Sequence, residues 1–127
     1  MTDFNPAYND AEGSFNPDLL VAGDHPVRTK GVTIASGQNI VRGALLGIIT
    51  AGSQAILSLA AAVDGSEVPN CIAGEDIDAT AGAVESFAYT AGDFNSNAMT
   101  FGTGHTAAST REGLRNKSIY VVDPVVA

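Results

Sequence analysis

The sequence predicts a mainly β protein with one short C-terminal helix, preceded by an extended N-terminal arm. Three observations carry this. The apolar runs are short and are separated by Gly, Asn, Asp and Ser, which is strand-and-turn punctuation. One helical pattern is evident, near the end of the chain, from Thr106 to about Lys117. The first 26 residues show neither a helical nor a strand period and are broken by Pro6, Pro17 and Pro26.

The stretch Gly43–Val63 organises the rest, because it contains no charged residue. It is long enough to span a bilayer, and Gly43 and Gly47 give a GxxxG spacing. A membrane helix here would carry three glycines, two serines, a threonine and a glutamine, and it lacks an aromatic belt and a Lys/Arg-rich flank. Two buried strands fit better: 45–50, then the turn Ala51-Gly52-Ser53-Gln54, then 55–59. Strands buried on both faces read as continuous apolar runs rather than alternations.

Residues 1–26 form the expected arm, and residues 27–127 the expected β-rich domain. The arm carries Asp3, Asp10, Glu12, Asp18 and Asp24 and no Lys or Arg. It also carries Phe4, Tyr8, Phe15, Leu19, Leu20 and Val21, so three of the eight aromatic residues lie in a segment that cannot fold alone. Such residues are expected to act as anchors when the arm orders on a partner.

In the domain, Val32 and Ile34 alternate with Thr33 and Ala35 as in a strand, and Ser36–Asn39 is a turn. Residues 60–70 read as a loop, and Cys71-Ile72-Ala73 as a strand. Glu75-Asp76-Ile77-Asp78 reads as a solvated acidic turn, since the ordered ligand spacing of a calcium loop is absent. Phe87 and Tyr89 alternate with Ala88 and Thr90 in a further strand and read as core; Ala91-Gly92-Asp93 is expected to turn the chain, and Ala98–Phe101 to be a short strand. Ser109 and Glu112 have capping-box spacing, which would start the helix later than Thr106. Arg111, Arg115 and Lys117 gather at its C-terminal end, where positive charge suits the helix dipole. Ile119–Val122 is the last strand.

The chemistry-bearing motifs are few. Gly102-Thr103-Gly104-His105-Thr106-Ala107 fits G-x-G-x-x-A, but a dinucleotide site needs a βαβ unit around it, and no other strand–helix alternation is expected. The single Cys71 reads as a small buried hydrophobe, with no histidine nearby in sequence to activate it. No catalytic, cofactor-binding or metal-binding residue is expected. A net charge of −8 argues against binding nucleic acid or an anionic membrane surface. No signal peptide is expected, and a reducing cytoplasm is the expected place of synthesis.

From about Gly31 to Val122 the chain resembles the tailed-phage head decoration proteins, the family of the lambda-type capsid-stabilising protein. The resemblance rests on Val32-Thr33-Ile34-Ala35-Ser36-Gly37-Gln38-Asn39-Ile40-Val41-Arg42-Gly43 with Leu46-Gly47, on residues 72–82 (IAGEDIDATAG), and on residues 89–95 (YTAGDFN). The late helix and last strand close it. It implies a small β-tulip barrel or sandwich that forms a homotrimer. It further implies a place on the outer surface of the expanded capsid, at threefold and quasi-threefold sites, where the protein binds the major capsid protein and stabilises the head against internal DNA pressure. The arm, disordered when free in such proteins, would order on the capsid. No family motif transfers onto Phe4, Tyr8, Phe15, Leu19, Leu20 and Val21; they are expected capsid contacts on their chemistry alone. The alternative is a carbohydrate- or receptor-binding β module on a virion surface.

Overall fold

The computed structural model describes residues 20–22 and 26–123. Among the described residues the strands are β1 (Arg28–Ile34), β2 (Asn39–Ile40), β3 (Leu45–Ile48), β4 (Ala55–Leu57), β5 (Pro69–Ala73), β6 (Ile77–Asp78), β7 (Val84–Asn95) and β8 (Ile119–Val122). One helix, α1 (Ala107–Arg115), precedes β8. Strands β1, β4, β3, β5 and β7 pair in that order, and β7 pairs back with β1, closing a five-stranded barrel. The fold is therefore mainly β with one short C-terminal helix.

The uncharged 43–63 stretch is the hairpin β3–β4, with Leu46 opposite Leu57 and Ile48 opposite Ala55. Its continuous hydrophobicity has a direct cause. Side chains alternate across a strand, and both faces of this sheet are covered. Leu46, Cys71, Ala73 and Ala88 point into the barrel with Ile34, Ala55 and Ile77. Their neighbours Leu45 and Ile72 point the other way, into a second core with Phe94, Met99, Leu114, Ile119 and Val121. No helix among the described residues is long and apolar enough to cross a membrane.

Strand β7 differs from the expectation of a turn at Ala91–Asp93. It runs through that site for 12 residues. Arg28 pairs with Ala91 and Thr29 with Tyr89, so Thr90 is an extra residue, a β-bulge. Gly92 then takes φ +138°, which L side chains rarely adopt. The bulge and the glycine bend the strand instead of reversing it. Its first part belongs to the barrel, and its last part, Gly92–Asn95, pairs in parallel with β8.

Three further expectations change. Residues 98–101 form no strand: Ser96–Ala98 is a 3₁₀ turn, and Thr100 makes a single bridge to Ala44. The helix is capped by Thr106, whose side chain accepts from the Ser109 amide while Ser109 Oγ accepts from the Thr106 amide. The Ser109/Glu112 spacing is not used as a cap. Finally, the strand–helix–strand unit around α1 takes the end of β7, not residues 98–101, as its first strand, and β8 pairs with it in parallel. Phe87 and Tyr89 lie on the face of β7 away from the barrel interior, half-buried and packed edge to face with centroids 6.0 Å apart; Tyr89 packs against the second core, beside Phe94, as expected of a core residue, whereas Phe87 belongs to neither core.

Candidate docking surface

The surface begins where the arm meets the barrel. The last part of β7 has β8 on one edge, and residues 20–22 occupy the other. Asn95 N donates to Leu20 O at 2.7 Å, Ala22 N donates to Asp93 O at 2.9 Å, and Val21 bridges Phe94. Leu20 and Val21, both expected as partner contacts, are separated by this arrangement. Leu20 is 1% exposed, inside the second core beside Phe94 and Leu114. Val21, on the opposite face of the same short extended segment, is 37% exposed. The expected arm boundary at residue 26 thus falls downstream of a segment already fixed to the barrel. Phe4, Tyr8, Phe15 and Leu19 lie outside the described residues.

A second apolar surface was missed by reading residues 60–70 only as a loop. Leu59-Ala60-Ala61-Ala62-Val63 follows β4, with Leu59 38% and Val63 95% exposed. Its backing is held by buried polar groups. Ser58 Oγ donates to Ser66 O at 2.6 Å, and both serines are fully buried. Asp64 Oδ1 accepts from the Ser66 amide at 3.0 Å and from its hydroxyl at 2.5 Å, and these bonds hold its carboxyl below the usual range. Thr50 N donates to Asp64 O, and Ala60 N to Thr103 O. A run of exposed apolar residues on a fixed backing is the kind of patch that marks protein contact.

The motifs that invite a catalytic reading are spent on structure. Gly102 and Gly104 of the G-x-G-x-x-A segment approach the 58–60 segment so closely that an added Cβ would lie 2.0 Å from Ser58 O and 2.6 Å from Ala60 Cβ. These glycines admit the protein's own chain, Gly102 the Ser58 carbonyl and Gly104 the Ala60 side chain. His105 Nε2 lies 3.1 Å from Ser58 Oγ. The Ser58 hydroxyl donates to the Ser66 carbonyl, which leaves its oxygen to accept from the imidazole. Cys71 is 1% exposed in the barrel core, and burial pushes its thiol up to about 11, away from a reactive thiolate.

The acidic residues 75–78 fasten neighbouring chain. Ile77 is buried in the barrel. Glu75 accepts from the Ser86 hydroxyl, and Asp76 accepts from the Arg42 amide at 2.8 Å. Asp78 accepts from the amide and hydroxyl of Thr80, which hold its carboxyl low. No cluster of three metal-capable side chains occurs among the described residues. Arg42 is itself committed, donating from Nη1 to Gly74 O and Tyr89 Oη, both at 2.7 Å, with its guanidinium over the Tyr89 ring.

A family model described as Bacteriophage lambda head decoration protein D matches residues 10–118. The match begins inside the arm, upstream of the stretch on which the resemblance was read. No curated protein matches the chain.

Proposed function

The chain belongs to the bacteriophage lambda head decoration protein D family, a family of structural phage head proteins, and from that premise we propose how it decorates the head. It binds the major capsid protein on the outer surface of the expanded shell, as a homotrimer at threefold and quasi-threefold sites. Binding stabilises the head against the pressure of packaged DNA.

The family match over residues 10–118 carries this reading. The arm geometry supports it. Leu20 is the anchor that fixes the arm's root in the second core. Phe4, Tyr8, Phe15 and Leu19 precede it in sequence, and with exposed Val21 they supply the apolar contacts to the shell. Ordering such an arm costs about 1–2 kcal/mol per residue in backbone entropy. A trimer offsets that cost, because one docked arm raises the effective concentration of the others. A closed threefold ring uses a heterologous interface, which matches a threefold site. The acidic surface is compatible with an outer position, where no nucleic acid need be bound.

The test is co-sedimentation with expanded, undecorated heads. Full-length protein is compared with a version that begins at residue 20. A cut at residue 27 is unsuitable, since it removes Leu20 from the core. Saturable binding in multiples of three, lost in the version that begins at residue 20, is the expected result. Full binding by that version would move the contact to the barrel, and no binding by the full-length protein would refute the decoration role for this chain.

A further inference from the structure

Strand β1 pairs with β7 along its whole length on one edge. On its other edge it pairs with β4 at a single position, Ile34 to Ala55. The barrel therefore closes at one end of β1 and splays open toward Arg28. The direction of the free backbone groups follows from the alternation of a strand. Ala35 N donates toward β4, to Ala55 O, so the groups of Thr33, Gly31 and Thr29 face the same way. The β7 side agrees: Phe87 O accepts from Gly74 N on the β5 edge, so Glu85, Phe87 and Tyr89 turn from β1 while Val84, Ser86 and Ala88 face it. The outward amides of Thr29, Gly31 and Thr33 have no hydrogen-bond partner among the described residues.

This edge borders a cleft of about 550 Å³, lined by Lys30, Gly31, Val32, Ile48, Asn70 and Glu85 among others. Open strand edges are normally covered or blocked, because they template pairing with another chain. The neighbouring strand β4 illustrates such a block, since its Leu57 amide is capped by Gln38 Oε1. Beside the cleft, Gly31 is exposed and an added Cβ would meet nothing nearer than Ser86 O at 4.0 Å. The charges are also distinctive. Arg111 and Arg115 are paired with Asp123 and Glu112. Arg28 and Lys30, two of only six basic residues in an acidic chain, share one face of β1 and have no ion pair among the described residues.

We propose that the open edge of β1 receives an extended, carboxylate-bearing segment of the major capsid protein as an added strand. This site is separate from the arm and rests on the decoration reading above. β1 itself lies in line with residues 20–22 along β7, so its open edge is one strand removed from the root of the arm. Backbone bonds to Thr29, Gly31 and Thr33 supply affinity, and a carboxylate opposite Arg28 and Lys30 sets register.

Gly31→Pro tests the backbone term, because it removes an outward donor without removing an internal bond. Lys30→Glu tests the charge and leaves the backbone unchanged, so it decides the matter if the proline variant does not fold. Both full-length variants are measured for binding to expanded heads alongside their unfolding temperature. Each is expected to bind at least tenfold more weakly at unchanged unfolding temperature. In the wild type, amide exchange at Thr29, Gly31 and Thr33 is expected to slow on heads. Wild-type binding by both variants would overturn the proposal. So would a change in self-association with head binding intact, which would name a second copy as the occupant. Failure of wild-type protein to bind heads would instead refute the decoration reading, and this inference with it.

Discussion

At the scale of single residues, Leu20 and Val21 show how one position decides a role. They have similar side chains and adjacent places in a segment that reads as a tether. Pairing of 20–22 against β7 sends one side chain inward and the other outward, since successive residues of an extended chain face opposite ways. Leu20→Ala is expected to destabilise the fold by about 2–5 kcal/mol, the usual cost of a buried Leu-to-Ala cavity. Val21→Ala is expected to cost roughly 0.5 kcal/mol or less, as at other exposed sites. Urea unfolding of the two variants checks both values; equal effects would contradict the placement of Leu20. The sequence could indicate that these residues were apolar and needed covering. It could not indicate which of them the protein covers itself.

At the scale of elements, local chemistry and tertiary packing compete, and the cap of α1 shows where each prevails. Thr106/Ser109 and Ser109/Glu112 both have suitable spacing. The first is used because Gly102 and Gly104 must approach Ser58 and Ala60, which fixes the chain entering the helix at Thr106. Glu112 then pairs with Arg115 on the exposed surface. Thr106→Ala is expected to cost about 0.5–2 kcal/mol through the lost cap. Glu112→Ala is expected to cost about 1 kcal/mol or less, because exposed ion pairs contribute little. Thermal unfolding of the two variants distinguishes the caps. The same competition explains β7. Ala91-Gly92-Asp93 is turn-like chemistry, but residues 20–22 and β8 supply partners on both edges beyond it, so continuing the strand satisfies more backbone groups than reversing it.

At the scale of the whole molecule, two cores share one sheet. The barrel core and the core beneath α1 are separated only by the thickness of β3, β5 and β7, whose residues alternate between them. Decoration adds a linkage term. A protein that binds the expanded shell and not the disrupted one stabilises it by RT ln(1 + [L]/Kd) at each site, about 2.7 kcal/mol at a hundredfold excess over Kd. Expanded heads are therefore expected to resist heat better with added protein, in a concentration-dependent way, and light scattering during heating measures this. A midpoint independent of protein concentration would argue against stabilisation by binding.

The mainly β class, the β3–β4 hairpin, the late helix and last strand, and the burial of Cys71 were legible in the residues alone. These rest on local signals: short apolar runs, turn residues, a helical period, and an uncharged setting. The sequence also carried the family resemblance, through turns and strand starts in a fixed order. Tertiary packing alone sets the arm's root in the core, bends β7 without turning it, brings Ser58 and Ala60 against Gly102 and Gly104, and leaves β1 an open edge. Each of these depends on which distant segment lies alongside. Residues 20–22 and 93–95, or Gly102 and Ser58, meet through closure of the barrel, and no property of either segment alone specifies the other.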